Sequence, residues 1–232
     1  MNLPRVIAHG LRAQLRQNET RLFLMALLFA IAALTTVQLG AQRTLDLLLA
    51  KAAEVNGGDV SISSRAPLSD RYAAHARERG LRVAETLGFP SMLFAGDAQQ
   101  LADVKAVAGD YPVRGNLRVI FDETSAAATV GPPKSGEAYA DSRLLQNLRL
   151  SLGDTIELGE ISLRVVGEIA EDPDGNQLFA MAPRLLVGVG DARRAGLLGP
   201  GSRPSYRLLL SGSPDAVRDY AAWVEPQLES GQ

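Results

Sequence analysis

Between Arg21 and Arg43 the chain carries no charged residue, and the run LFLMALLFAIAALTTVQLGAQ between them is almost wholly apolar. As an α-helix rising about 1.5 Å per residue, residues 22–42 match the roughly 30 Å of hydrocarbon in a bilayer. A helix that is apolar all round needs lipid or a large protein interior around it. The membrane-facing side chains are Leu22, Phe23, Leu24, Leu27, Leu28, Phe29, Ile31, Leu34, Val37 and Leu39. The expectation is one transmembrane helix at 22–42 in the lipid bilayer, with a soluble domain behind it.

Charge sets the orientation. Arg5, Arg12, Arg16 and Arg21 precede the run and are opposed only by Glu19, whereas Arg43 and Lys51 beyond it are balanced by Asp46 and Glu54. Positive charge at a span's end stays on the cytoplasmic side, so the N-terminus is expected inside and the domain outside. A cleaved signal peptide is the competing reading. Its nearest cut, after Ala41, places Leu39 where a small residue is required, which favours an uncleaved anchor. In the cytoplasmic segment 1–21, Leu3, Ile7, Leu11 and Leu15 recur every fourth residue beside a basic face, the pattern of a helix lying in the headgroup layer. A basic tail that only sets topology is the alternative.

Behind the run, Leu45, Leu48, Leu49 and Ala52 continue the apolar stripe as a helical stalk over 43–55, ended by Asn56-Gly57-Gly58. The remaining domain, 56–232, mixes strands and helices without a strict βαβ rhythm, so its class is α+β. Strands are expected at 59–63, at 81–94 with a break near Gly88 and Pro90, and at 101–107, 113–121, 184–189 and 206–210. Helices are expected after Ser69 or Asp70, over 142–148, from Asp191, and after Ser213-Pro214. The stretch 122–137 reads as a loop. The firmest element is a hairpin over 153–169. Gly159-Glu160 is its two-residue turn, pairing Leu158 with Ile161 and Ile156 with Leu163 on one face.

There is no cysteine, so the domain must hold together by burial alone, without disulfides. With 24 basic and 26 acidic residues and no basic patch carrying interleaved aromatics, nucleic acid is not an expected partner. Catalysis is not expected either. No G-x-S-x-G elbow exists, Ser202 lies in a Gly-Pro turn, and His75 reads as a solvated helix residue. The carboxylates Glu168, Glu171, Asp172 and Asp174 surround Asp172-Pro173-Asp174-Gly175-Asn176, whose glycine comes too early for a calcium loop, so they read as a solvated turn. Gly188-Val189-Gly190 lacks the third glycine of a dinucleotide fingerprint, and the prolines of Gly131-Pro132-Pro133-Lys134-Ser135 remove amides a phosphate would need. The expectation is therefore no enzyme, no cofactor and no metal.

Several segments resemble, in order, the ABC transporter permeases of the MacB/LolC/FtsX type and above all their YbbP-type subgroup. These are Gly57-Gly58-Asp59-Val60, the run from Ala102 to Val107, Tyr111 to Gly115, Asp141 to Leu145, Gly153 to Gly159, Ala182 to Leu186, and Pro200 to Arg203 with Tyr206 to Leu208. The resemblance implies a periplasmic MacB-like domain made of a split α+β part, here 56–110 and 200–232, with an inserted β-rich part, here 111–199. It further implies a bacterial inner-membrane permease subunit working as a homodimer or heteromer. A separate cytoplasmic ABC ATPase would drive it, and the substrate would be a lipoprotein, lipid, peptide or hydrophobic small molecule. Such permeases have further spans after this domain, so the chain reads as a first span plus ectodomain. A stand-alone membrane-anchored binding or scaffold module of the envelope is the alternative.

Overall fold

The computed structural model describes residues 22, 25–38, 40, 57–122, 124–173, 182–199, 202 and 204–228. The chain divides into two units, Met1–Lys51 and Ala52–Gln232. In the first, residues 22, 25–38 and 40 are helical. Among the described residues no helix is long and apolar enough to cross a membrane. The arginines at 5, 12, 16 and 21, Phe23, Leu24, Leu39 and the stalk lie outside the described residues. Leu22, Leu27, Leu28, Phe29, Ile31, Leu34 and Val37 all present exposed side chains. The only hydroxyls among them, Thr35 and Thr36, donate to the carbonyls of Ile31 and Ala32 at 2.8 Å, so neither needs water.

The second unit is built on one sheet of ten strands. Strand β1 (Val60–Ser64) leads to helix α1 (Asp70–Glu78), which stops at Gly80 in the left-handed region, φ 73°. A long hairpin follows, β2 (Arg82–Ala95) and β3 (Ala98–Gly109). No break occurs at Gly88 or Pro90. One edge of β2 pairs with β10 (Ser205–Ser211) up to Gly88 and with β7 (Thr155–Leu158) from Leu93, and Pro90 falls in the unpaired gap where a missing N–H is tolerated. After β4 (Leu117–Ile120) the expected loop contains a short edge strand, β5 (Ala128–Val130), paired with β4. The strand expected from residue 113 begins only at Leu117, because the Val113 carbonyl is taken by the Ser211 hydroxyl at 2.9 Å and by Arg82. Then come β6 (Glu137–Ala140), α2 (Ser142–Leu148), β7, β8 (Ile161–Glu171), β9 (Arg184–Gly188), α3 (Val189–Arg194), β10 and α4 (Pro214–Val224). Asp141 caps α2 by accepting from the Leu144 amide at 3.0 Å, and Ser213 caps α4. The β7–β8 register is the expected one, with Leu158 opposite Ile161 and Ile156 opposite Leu163.

Six strands close on themselves. The pairs β2–β3, β3–β9, β9–β6, β6–β8, β8–β7 and β7–β2 form a ring. Inside it Ala106, Val187, Ala138 and Val165 face one another on successive strands, all fully buried. A six-stranded barrel is narrow, so alanines at 102, 106, 138 and 140 alternate with larger residues such as Leu93, Val104, Ile156 and Leu163. The barrel draws strands from both sides of position 111. At the other end of the sheet, α1 and α4 cover Ile62, Val83, Leu208 and Leu210. Leu209, between the last two, faces the opposite cluster with Val107, Tyr111, Val113 and Leu117.

His75 is not the solvated surface residue expected. Its ring stacks on Trp223 at 3.6 Å, and its Nε2 is buried without a hydrogen-bond partner. An unsatisfied buried nitrogen costs stability that a phenyl ring of similar shape does not. His75→Phe is therefore expected to stabilise the domain by about 1 kcal/mol, read as a rise in melting temperature.

Candidate functional site

Two features stand out in the domain, a buried ionic cluster on the outer face of the barrel and an open cleft beside it. The cluster begins with β3, where alternation places Ala102, Val104 and Ala106 inside the barrel and Asp103 and Lys105 outside. Both charged residues are nonetheless buried, at 6% exposure each. Lys105 Nζ reaches Asp172 Oδ2 at 2.8 Å and Oδ1 at 3.0 Å, and the Tyr111 hydroxyl at 2.6 Å. That hydroxyl donates in turn to Asp172 Oδ1. Arg184 joins from β9. Its Nη1 bonds Asp172 Oδ2 at 2.8 Å, while Nη2 and Nε meet Asp103 Oδ2 at 2.9 and 3.2 Å.

The expected solvated turn at Asp172 is thus corrected. Its carboxylate is 6% exposed and is the hub of two ion pairs. Burial opposes its charge, but Lys105, the Tyr111 hydrogen bond and Arg184 outweigh that and hold the carboxyl below its ordinary range. Burial likewise opposes the charge on Arg184, and Asp172 and Asp103 more than restore it. With every partner paired, the cluster offers no reactive group. It locks the end of β8 to the start of β9 and to β3.

Two further charged residues of the ordered motifs, Asp59 and Arg114, also work as fasteners. Arg114 grips Asp59 through two bonds of 2.9 and 2.6 Å, and Asp59 also accepts from the Gly212 amide. The hydrogen bond it donates to Asp59 raises the Arg114 pKa against its partial burial. The two glycine motifs set aside for nucleotide binding meet each other. Buried Asp191 of α3 accepts from the Gly136 amide at 3.0 Å and from the Ser135 hydroxyl at 3.2 Å. Among the described residues no group of histidines and carboxylates is arranged to hold a metal ion. The Ser202 hydroxyl donates to the Gly199 carbonyl at 2.8 Å.

The cleft lies between α1 and α3 over the sheet and holds a volume of about 70 Å³. Its floor is set by register: Glu85 pairs with Leu208 and Leu87 with Tyr206, so these four side chains share one face. Neither it nor the ionic cluster was visible as a site in the sequence. The one available signal was the presence of Asp103 and Lys105 in an otherwise apolar strand.

No protein-family model matches the chain. It is 33% identical over 228 residues, 98% of its own length, to the uncharacterized ABC transporter permease YbbP of Escherichia coli strain K12, and it spans 28% of the length of that relative. Among solved structures it is similar to the periplasmic region of MacB from Actinobacillus actinomycetemcomitans, at TM-score 0.48 and 13% identity, covering 75% of this chain and 86% of that one. It is also similar to the extracellular domain of the noncanonic ABC-type transporter YknZ from Gram-positive bacteria, at TM-score 0.49 and 12% identity, covering 70% and 89%. The resemblance carried by the ordered motifs therefore holds over nearly the whole chain, which is related in sequence to the YbbP-type ABC transporter permeases.

Proposed function

We propose that this chain supplies the first span and the periplasmic domain of an ABC transporter permease in the bacterial inner membrane. In this reading residues 22–42 cross the bilayer, 43–55 form the stalk and 56–232 the domain, with 111–199 as its insertion. Arg5, Arg12, Arg16 and Arg21 hold the N-terminus in the cytoplasm. A separate cytoplasmic ATPase supplies energy, the permease works as a homodimer or heteromer, and the domain handles a hydrophobic or lipid-like substrate. The observation carrying this reading is the match to a permease along 98% of the chain. The exposed apolar helical residues between 22 and 40 support it. So does the absence of unpaired reactive groups in the ionic cluster, which suits a domain that moves and contacts better than one that reacts.

The expected result is that the intact parent protein co-purifies with an ATP-binding subunit. A parent isolated with no such subunit overturns the transporter reading. Orientation is tested separately, since the chain has no native cysteine. A cysteine replacing exposed Ser61 should react with a membrane-impermeant maleimide applied from outside, and one replacing Gln14 only after lysis. The reverse pattern refutes the orientation. The second reading, a stand-alone anchored module, is favoured by the self-contained core of the domain. It predicts unchanged ligand binding when the ATPase gene is deleted.

A further inference from the structure

We propose that the segment 111–115 is a strut that couples the place where the chain enters the domain, at Asp59, to the ion cluster on the barrel. A displacement arriving at Asp59 is thereby felt at Asp172. The proposal concerns the domain alone and does not rest on the permease reading.

An anchorage stands at each end of the strut. The first holds the entering chain. Gly58 passes so close to β10 that a Cβ there would lie 3.0 Å from the Leu210 carbonyl oxygen. The Asp59 amide donates to that same carbonyl at 2.8 Å. The Asp59 carboxylate accepts from the Gly212 amide at 3.1 Å and from Arg114 at 2.9 and 2.6 Å. The second anchorage is the cluster, where the Tyr111 hydroxyl lies between Lys105 and Asp172.

The stretch between them has little slack. Tyr111 and Arg114 are three residues apart, at most about 11 Å of extended chain. Pro112 fixes its own φ. Val113 is fully buried in the cluster that holds Leu117 and Leu209. Its carbonyl accepts from the Ser211 hydroxyl at 2.9 Å and from Arg82. Close-packed groups transmit strain instead of absorbing it, so a shift at Arg114 is passed on to Tyr111. Coupling of this kind is reciprocal: opening either anchorage loosens the other by the same factor.

Amide hydrogen exchange on the full chain in lipid nanodiscs reads both ends. The Gly212 amide reports on the entry anchorage. The Asp103 amide, bonded to the Pro183 carbonyl at 2.9 Å, reports on the cluster. Rates are taken relative to the Gly136 amide, which bonds Asp191 and neither anchorage, so a loss of global stability cancels. Arg114→Gln is expected to speed exchange at Asp103 about fivefold, and Asp172→Asn to speed it at Gly212 by a similar factor. Tyr111→Phe removes the hydroxyl that joins strut to cluster, and in that background Arg114→Gln should add nothing at Asp103. Acceleration confined to the altered end in either variant, or the same acceleration with and without the Tyr111 hydroxyl, overturns the proposal. The Arg114 side chain is 42% exposed, so its replacement leaves the core intact. Should Asp172→Asn fail to fold, Arg114→Gln and its Tyr111→Phe control decide alone. Failure leaves the permease reading standing, because that depends on association with an ATPase.

Discussion

Asp172→Ala is expected to destabilise the domain by about 3 to 5 kcal/mol, because it leaves Lys105 and Arg184 buried around a missing countercharge. For a domain of this size that is a fall in melting temperature on the order of 10 °C. The loss is mainly a penalty for stranded charge, so a second change should relieve it. Lys105→Met in the Asp172→Ala background removes one of the stranded cations, and the double variant should melt above the single one. Thermal unfolding followed by circular dichroism checks both. A loss under about 1 kcal/mol in Asp172→Ala would mean the cluster is solvated after all.

The same cluster sets an acid limit. Asp172 has a carboxyl held below the usual range in the folded state, so its contribution is fully present above the unfolded value of about 4 and is lost as pH falls below that through the folded value. The wild type should therefore lose stability more steeply between neutral pH and strong acid than Asp172→Ala does, and the two curves should converge at low pH. Parallel curves would assign the acid sensitivity to other carboxylates.

The second large effect is expected at Gly159. It opens the β7–β8 turn at φ 58°, where a side chain is strained. A Cβ there would also drive into the Ala195 carbonyl and lie 2.9 Å from Leu197 Cγ, because the turn is pressed against the end of α3 and the Glu160 amide donates to Ala195 at 3.0 Å. Gly159→Ala should cost about 3 kcal/mol, combining left-handed strain with overpacking. Gly96 has nearly the same φ, 57°, in the β2–β3 turn but open space around it. Gly96→Ala should therefore cost only about 1 kcal/mol, the conformational part alone. Equal losses at the two positions would show that contact with α3 contributes nothing.

Local elements were legible wherever turn chemistry and periodicity agreed. The β7–β8 hairpin has its expected register because Gly159 dictates the turn and a period of two dictates the face. Helix α4 starts where Ser213 and Pro214 place it. The errors fell where a local rule met a tertiary partner. Pro90 reads as a break until an unpaired edge accommodates it. His75 reads as exposed until Trp223, 148 residues on, covers it. Asp172 sits in a string of turn-formers, and nothing nearby in sequence hints at cations 67 residues before it and 12 after.

What the order of residues determined alone was therefore the short-range part: the charge-free run with its flanking arginines, the element boundaries, the α+β class, and the ordered motifs that relate the chain to permeases. Each follows from periodicity, turn geometry or charge count over a few residues. Only the folded chain decided that six strands close into a barrel, that Asp59, Asp103, Lys105, Arg114 and Arg184 are fasteners, and that α1 and α3 leave an open cleft over the sheet. Strand closure and ion pairing across dozens of residues depend on which surfaces meet, and a strand's sequence states which face is apolar without stating what will be opposite it.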